Sequence, residues 1–189
     1  RFHTNLTRLK KQLRGCLSYD GSKLVNIDIT NSQPYLLTCL LSVDIFERME
    51  VGTLLKKYSS RFDNEKEISR LKNLIISIQK KEDTIKYCNW VREGKYYEEL
   101  SDEIKKTDFT RFKNSKINSI VNGIPNLEMN IDWREFAKDA TMSTLFSHNK
   151  ASSYNLHIRI FQELFPSVSK VIRFIKKGNH RALSRFLQK

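Results

Sequence analysis

The strongest constraint on what this chain can fold into is a change of pattern inside residues 24–37. An apolar, β-branched run through Leu24, Val25 and Ile27 ends on Asp28, a turn follows at Thr30, Asn31 and Ser32, and a helical pattern opens at Pro34. β-Branched residues favour extended backbone, whereas Asn or Ser caps the free N–H groups of a first helical turn and Pro is tolerated within it. The segment reads as a strand, a tight turn and a helix. Asp28 then lies at the carboxyl end of the strand, beside the positive end of the helix. A carboxylate so placed suits a divalent cation that must also meet phosphate oxygens. The plainer alternative is that Asp28 closes a strand and caps a turn.

Charge bears on that choice. The 34 Lys and Arg against 21 Asp and Glu give a formal charge of +13 and a pI near 9.7. The excess is concentrated at the two ends. Residues 1–19 contain Arg1, Arg8, Lys10, Lys11 and Arg14 with no acid, and after Glu163 come Lys170, Arg173, Lys176, Lys177, Arg181, Arg185 and Lys189, again with none. Two acid-free basic arms around a balanced middle fit contacts to the backbone of a polyanion. A basic helix lying on a membrane surface is the competitor, and the stretch 168–177 approaches its pattern. Nucleic acid is the expected partner.

Residues 5–15 carry leucines at helical spacing, 23–29 form the one convincing strand, and 34–48 is apolar enough for a helix at the centre of a core. In 64–81, Ile68, Leu71, Leu74, Ile75 and Ile78 make one apolar stripe. Gly94 interrupts the next helical pattern. A helix over 109–121 is stopped by Asn122, Gly123 and Pro125, and further helices fit 132–147, 151–164 and 168–187, with Phe165-Pro166 as a break. Asp132 has the setting of a helix N-cap. No apolar run approaches the roughly 18–20 residues of a membrane span. Cys16, Cys39 and Cys88 are scattered without a C-x-x-C spacing, as expected of reduced thiols in a cytoplasmic protein. The absence of an initial Met and the end at Gln188-Lys189 lead us to expect a fragment of a longer protein.

With these positions in view, the chain resembles the family A, DNA polymerase I-like polymerases. Arg1-Phe2-His3-Thr4, then Arg14, then Asp28 with Ser32-Gln33, is similar to that family's R-x-H-T stretch, a basic residue, and a strand ending in D-Y-S-Q-I-E-L-R. The spacing between Asp28 and Ser32-Gln33 is two residues longer, and Pro34-Tyr35 replace Ile-Glu. A longer spacing of this kind occurs in single-subunit phage-type RNA polymerases and in divergent phage and mobile-element polymerases. The missing Glu removes the family's sugar-selection device. The family's fingers helix, R-x3-K-x3-F-x3-Y-G, has a similar counterpart from Arg111 through Lys113 and Lys116 to Asn122-Gly123, although Arg111 stands two residues before Lys113, not four. Asn118-Ser119 is also similar to a family B motif, so that relationship stays open. Near the end, His180-Arg181-Ala182 through Gln188 resembles a stretch whose Gln meets primer–template.

The resemblance implies an α+β, predominantly helical fragment: a partial polymerase palm with fingers helices. Residues 1–50 would begin the palm with the motif A strand and helix. Residues 51–165 would form a fingers-like helical region, and 166–189 basic helices returning towards the palm. Asp28 would be the catalytic residue and would hold Mg2+. Two-metal phosphoryl transfer needs ions about 3.5–4 Å apart held by more than one carboxylate. The second metal site is therefore incomplete here, since the family's His-Asp motif would follow this sequence, and the fragment alone is expected to be inactive. Gln33, Arg111, Lys113 and Lys116 would bind the dNTP. Arg1, His3, Arg14, Lys176, Lys177, Arg181 and Gln188 would contact primer–template DNA, with RNA as an alternative and no membrane partner. The contrasting expectation is a non-catalytic, basic, helical nucleic-acid-binding module. His3, His148, His157 and His180 lack zinc-site spacing, and no P-loop or dinucleotide glycine motif occurs.

Overall fold

Gly, Pro, Ser and Asx residues set several of the described helix boundaries. A computed structural model describes residues 13, 16–23, 31–107, 132–153 and 155–187. Its first feature is a hairpin of two short strands, β1 (Ser18–Tyr19) and β2 (Ser22–Lys23), paired antiparallel with Ser18 opposite Lys23. Asp20 (φ 50) and Gly21 (φ 76) make the turn, the positive-φ pair that a two-residue hairpin requires.

Helix α1 spans Ser32–Leu41, and Ser42 breaks the long helix expected over 34–48 by capping α2 (Val43–Arg48) through its hydroxyl on the Ile45 N–H. Helix α3 (Val51–Lys56) and a single 3-10 turn at Ser60–Asp63 lead into α4 (Glu65–Ile78), capped by Asn64. Leu71, Ile75 and Ile78 of the expected stripe are buried, with Ile68 and Leu74 partly so. Helix α5 (Glu82–Arg92) stops at Gly94, whose φ of 74 ends the helix, and α6 (Tyr96–Lys105) follows. Asp132 caps α7 (Trp133–Phe146) as its sequence setting predicts, its carboxylate accepting from the Glu135 N–H. A 3-10 turn at Asn149–Ser153 and α8 (Leu156–Leu164) precede the Phe165-Pro166 break. Pro166 then occupies the first turn of α9 (Pro166–Lys176), and α10 (Arg181–Leu187) follows Gly178.

Helix α9 lies at the centre, packing against α4, α5, α7, α8 and α10. Val168, Val171, Ile172 and Ile175 are no more than 1% exposed, so its apolar face is consumed by the core and is not offered to a membrane surface. Beside it Tyr87, Tyr96, Phe161 and Phe165 form an edge-to-face cluster, with Tyr87 centred 5.1 Å from Tyr96 and 5.3 Å from Phe165. The two tyrosine hydroxyls of this cluster are satisfied. Tyr87 donates to the Pro34 carbonyl, and Tyr96 meets Thr141 Oγ1, which itself donates to the Ala137 carbonyl. One contiguous core joins Leu37 and Leu41, Leu71 and Phe161, and Val171 and Leu183, so all three stretches distinguished in the sequence contribute to it.

The described residues are thus predominantly helical, and here the α+β expectation is corrected. Their only β structure is the hairpin at 18–23, and their core is helix packed on helix without a sheet. The reason is periodic: from residue 31 onward the apolar positions recur at helical spacing, and strand-like alternation is confined to 23–29. Of that expected strand, only Lys23 lies among the described residues. No described helix is long and apolar enough to cross a membrane.

Candidate nucleic-acid interface

Two parts of the predicted site can be followed in space: the start of α1 and the basic end of α9 with α10. At α1, the expectation that Asn31 or Ser32 would cap the helix with its side chain is replaced by another arrangement. Asn31 takes a left-handed conformation (φ 57, ψ 35) and makes no side-chain cap. Its side-chain amide instead donates to the Gly94 carbonyl, 3.0 Å away, tying the turn before α1 to the turn after α5. Asn tolerates that conformation better than most residues, and here the long-range bond to Gly94 holds it in place. Pro34 is buried, and its carbonyl accepts both the Thr38 hydroxyl and the Tyr87 hydroxyl. Gln33 sits in the first turn, half-buried, with its Oε1 enclosed and without a hydrogen-bond partner. A buried amide oxygen without a donor is disfavoured by roughly 1–3 kcal/mol, which makes Gln33 the polar group at this helix start that most needs a partner.

At the other end, Lys170, Arg173 and Lys177 are exposed along α9 or just after it, and Arg181 and Arg185 are exposed on α10. Lys176 is not. It is 5% exposed, and its ammonium donates to the Thr144 carbonyl at the end of α7, 2.8 Å away. Burial holds its pKa down to about 8. The expectation that Lys176 contacts nucleic acid directly is therefore corrected. The side chain points inwards because it follows Ile172 by one helical turn, on the face that α9 packs against α7, and it serves as a cation at a helix C-terminus. The end of α9 is supplied in the same way. Asn149 donates to the Arg173 carbonyl and Arg61 to the Phe174 carbonyl, while the Arg61 guanidinium stacks 4.1 Å over the Phe174 ring and pairs with Glu67.

Gln33, Lys177 and Arg181 are thus placed, with Gln33 half-buried at one helix start and the two cations exposed at the opposite end of the sequence. Asp28, Arg111, Lys113, Lys116, Arg1, His3, Arg14 and Gln188 lie outside the described residues. Among the described residues no group of three or more His, Cys, Asp or Glu is arranged to hold a metal ion. Cys16, Cys39 and Cys88 are free thiols. Sequence reasoning missed His148 and His180, whose rings lie 5.2 Å apart beside the basic arm. Nothing in their spacing of 32 residues could have joined them; the return of α10 past the end of α7 does so. The chain matches no protein-family model, no curated protein and no solved structure.

Proposed function

We propose that this chain is part of a template-directed nucleotidyltransferase similar to the family A polymerases, acting inside the cell on primer–template DNA and dNTPs. The observation that carries the reading is the sequence from Asp28 to Gln33, a carboxylate closing a β-branched run a few residues before the helix that opens at Ser32. In this reading Asp28 and the helix that opens at Ser32 supply the motif A carboxylate and the helix that follows it, and the helices after residue 51 belong to fingers. Asp28 supplies a carboxylate for Mg2+, which when bound stabilises the charge on phosphoryl oxygens. Gln33, with its enclosed and unpartnered amide oxygen, faces the need for a donor that a nucleotide sugar or base edge would meet. Arg111, Lys113 and Lys116 neutralise triphosphate charge, and exposed Lys177 and Arg181 hold the nucleic-acid backbone.

The test is Asp28→Asn in the full-length protein. That change keeps the size and hydrogen-bonding capacity of the side chain and removes its charge. Nucleotide incorporation is expected to be abolished while template affinity stays within about twofold, because affinity comes from cations distributed over the surface. Primer extension at the wild-type rate would end the assignment. A second reading, a non-catalytic nucleic-acid-binding module, is favoured by one observation: every described element after residue 31 is helical, with acid-free exposed cations at its end. It predicts no incorporation by either protein.

A further inference from the structure

A small recess, with room for about one water, opens where the ends of α7 and α9 meet the turn after α7. Its buried lining includes Thr144, Ser169 and Lys176, and exposed His148 and Arg173 stand at its rim. Two polar atoms in its wall have no partner among the described residues: Ser169 Oγ, on a residue only 3% exposed, and Asn149 Oδ1. Native interiors seldom leave such groups orphaned, and each marks a place where a water or a ligand is wanted. The Lys176 ammonium uses one of its three protons on Thr144 and has no carboxylate partner among the described residues.

The charges around this recess have one sign. The His180 ring lies against His148, tilted by 44°, and its pKa is lowered by partial burial and by the nearby His148, Arg181 and Lys176. His148 Nδ1 accepts the Lys150 N–H at 3.1 Å, so in the neutral ring the proton sits on Nε2, on the opposite edge. No Asp or Glu lines the recess, and none is among the groups that act on His180. The C-terminal ends of α7 and α9 oppose an anion here, but two such ends amount to only about one negative charge. Lys176, Arg173 and Arg181 bring three full positive charges, before either imidazole is protonated. The cations prevail.

We propose that the mouth of this recess is a phosphate-binding site, with Arg173, His148 and His180 as direct donors and Lys176 as the charged floor. It takes one backbone phosphate of a bound nucleic-acid strand. The base of the recess has room for little more than one water, so the phosphate spans the rim while that water bridges Ser169 and Lys176. The assignment of the ligand to a nucleic-acid backbone rests on the proposed polyanion-binding function; the anion site itself does not. Binding takes up a proton: a phosphate beside the two rings and Arg181 favours charged His180, so affinity falls as pH rises through the bound-state pKa.

The experiment follows imidazole 15N–1H correlations during titration with inorganic pyrophosphate, then anisotropy of a labelled oligothymidylate against salt, for the full chain and for Arg173→Gln and His180→Gln. The His148 and His180 signals are expected to move with pyrophosphate, and the His180 titration midpoint to rise. Arg173→Gln weakens the response at least tenfold, and in His180→Gln the remaining His148 response weakens likewise. Each variant lowers the salt slope of oligothymidylate binding by about 0.7. If pyrophosphate moves neither ring, the site is overturned even where oligothymidylate binds. If pyrophosphate and thymidine triphosphate act on the rings but both variants keep the wild-type oligothymidylate slope, the backbone assignment is overturned in favour of a free nucleotide. If the rings respond and no oligonucleotide binds at all, the anion site stands and the polyanion reading fails.

Discussion

Helices α4 and α9 pack against each other, and both are amphipathic, yet they use charge in opposite ways. On α4 the charges are matched. Glu65 pairs with Lys56, Glu67 with Arg61 and Arg70, and Lys72 with Glu47. The Arg70 and Arg61 guanidiniums hold the Glu67 carboxyl below its ordinary pKa. On α9 there is no acid, and Arg173, Lys176 and Lys177 form no ion pair among the described residues. Paired surface ions mostly cancel one another's field and contribute little to stability. Unpaired ones leave a field that only an external anion can neutralise. Amphipathicity alone does not distinguish a solvated helix from a contact surface; the count of carboxylates within reach does. The end of α9 also has its carbonyls met by Asn149 and Arg61, and Asn179 just beyond it donates to the Tyr58 carbonyl after α3 at 2.6 Å. These polar groups satisfy carbonyls where two helices end against each other.

The largest test of this comparison reverses the unmatched charges. Arg173→Glu, Lys177→Glu and Arg181→Glu together are expected to flatten the salt dependence of nucleic-acid binding by about two units or more, since each lost phosphate contact is worth about 0.7–0.9. Reversing Lys66 and Arg70 on α4 is the control and leaves the slope unchanged. Equal slopes for the two sets, measured by anisotropy across a salt series, would erase the distinction between the helices.

Next in size is the buried cation. The Lys176 pKa is depressed in the folded protein, so between pH 8 and 10 the unfolded chain binds more protons and stability rises with pH. The full depression, from 10.5 to about 8, corresponds to about 3 kcal/mol of destabilisation at neutral pH. Cys88 and the buried tyrosines act in the opposite direction over the same range: burial raises the pKa values of Cys88, Tyr87, Tyr96 and Tyr97, so the unfolded chain loses those protons first. Lys176→Met keeps these groups and lacks the lysine, so the difference in urea-unfolding free energy, wild type minus Lys176→Met, should rise by about 2 kcal/mol from pH 8 to pH 10. A difference that stays level across that range would show Lys176 to be hydrated.

Fit without charge is smaller again. A Cβ on Gly52 would fall 2.8 Å from Ile68 Cγ2, where α3 crosses α4. Gly52→Ala is expected to destabilise by about 1–3 kcal/mol, and Ile68→Leu, which removes the Cγ2 methyl, in the same chain to recover part of that, because the two changes act on one contact. Additive effects in denaturant melts would show that the helices separate to accept the methyl group. The smallest effect belongs to a matched pair: Lys72→Ala, removing an exposed partner of Glu47, should change stability by no more than about 0.5 kcal/mol.

The helical class of the described residues, the stripe of α4, the Asp132 cap, and the breaks at Gly94 and Phe165-Pro166 were all legible in the sequence. Each depends on interactions within a few residues: 3.6-residue periodicity, a cap, or a backbone conformation that one residue type tolerates. The hairpin turn has a local signal too, the Asp20-Gly21 pair whose positive φ values a two-residue turn requires. Asp28 and the lysines of 109–121 stand out by motif and lie outside the described residues. What local pattern could not supply was the direction of a charge. Lys176 and Lys177 are neighbours in an acid-free run, yet one is buried against the end of α7 and the other is exposed. A helix turns by about 100° per residue, so only the placement of its neighbours decides which of two adjacent cations meets a carbonyl and which meets solvent. The same holds for Asn31, which read as a cap until the Gly94 carbonyl, 63 residues away, came within 3.0 Å. Periodicity determined that this chain forms helices with basic ends; the docking of α7, α9 and α10 decided which cations and histidines form a site.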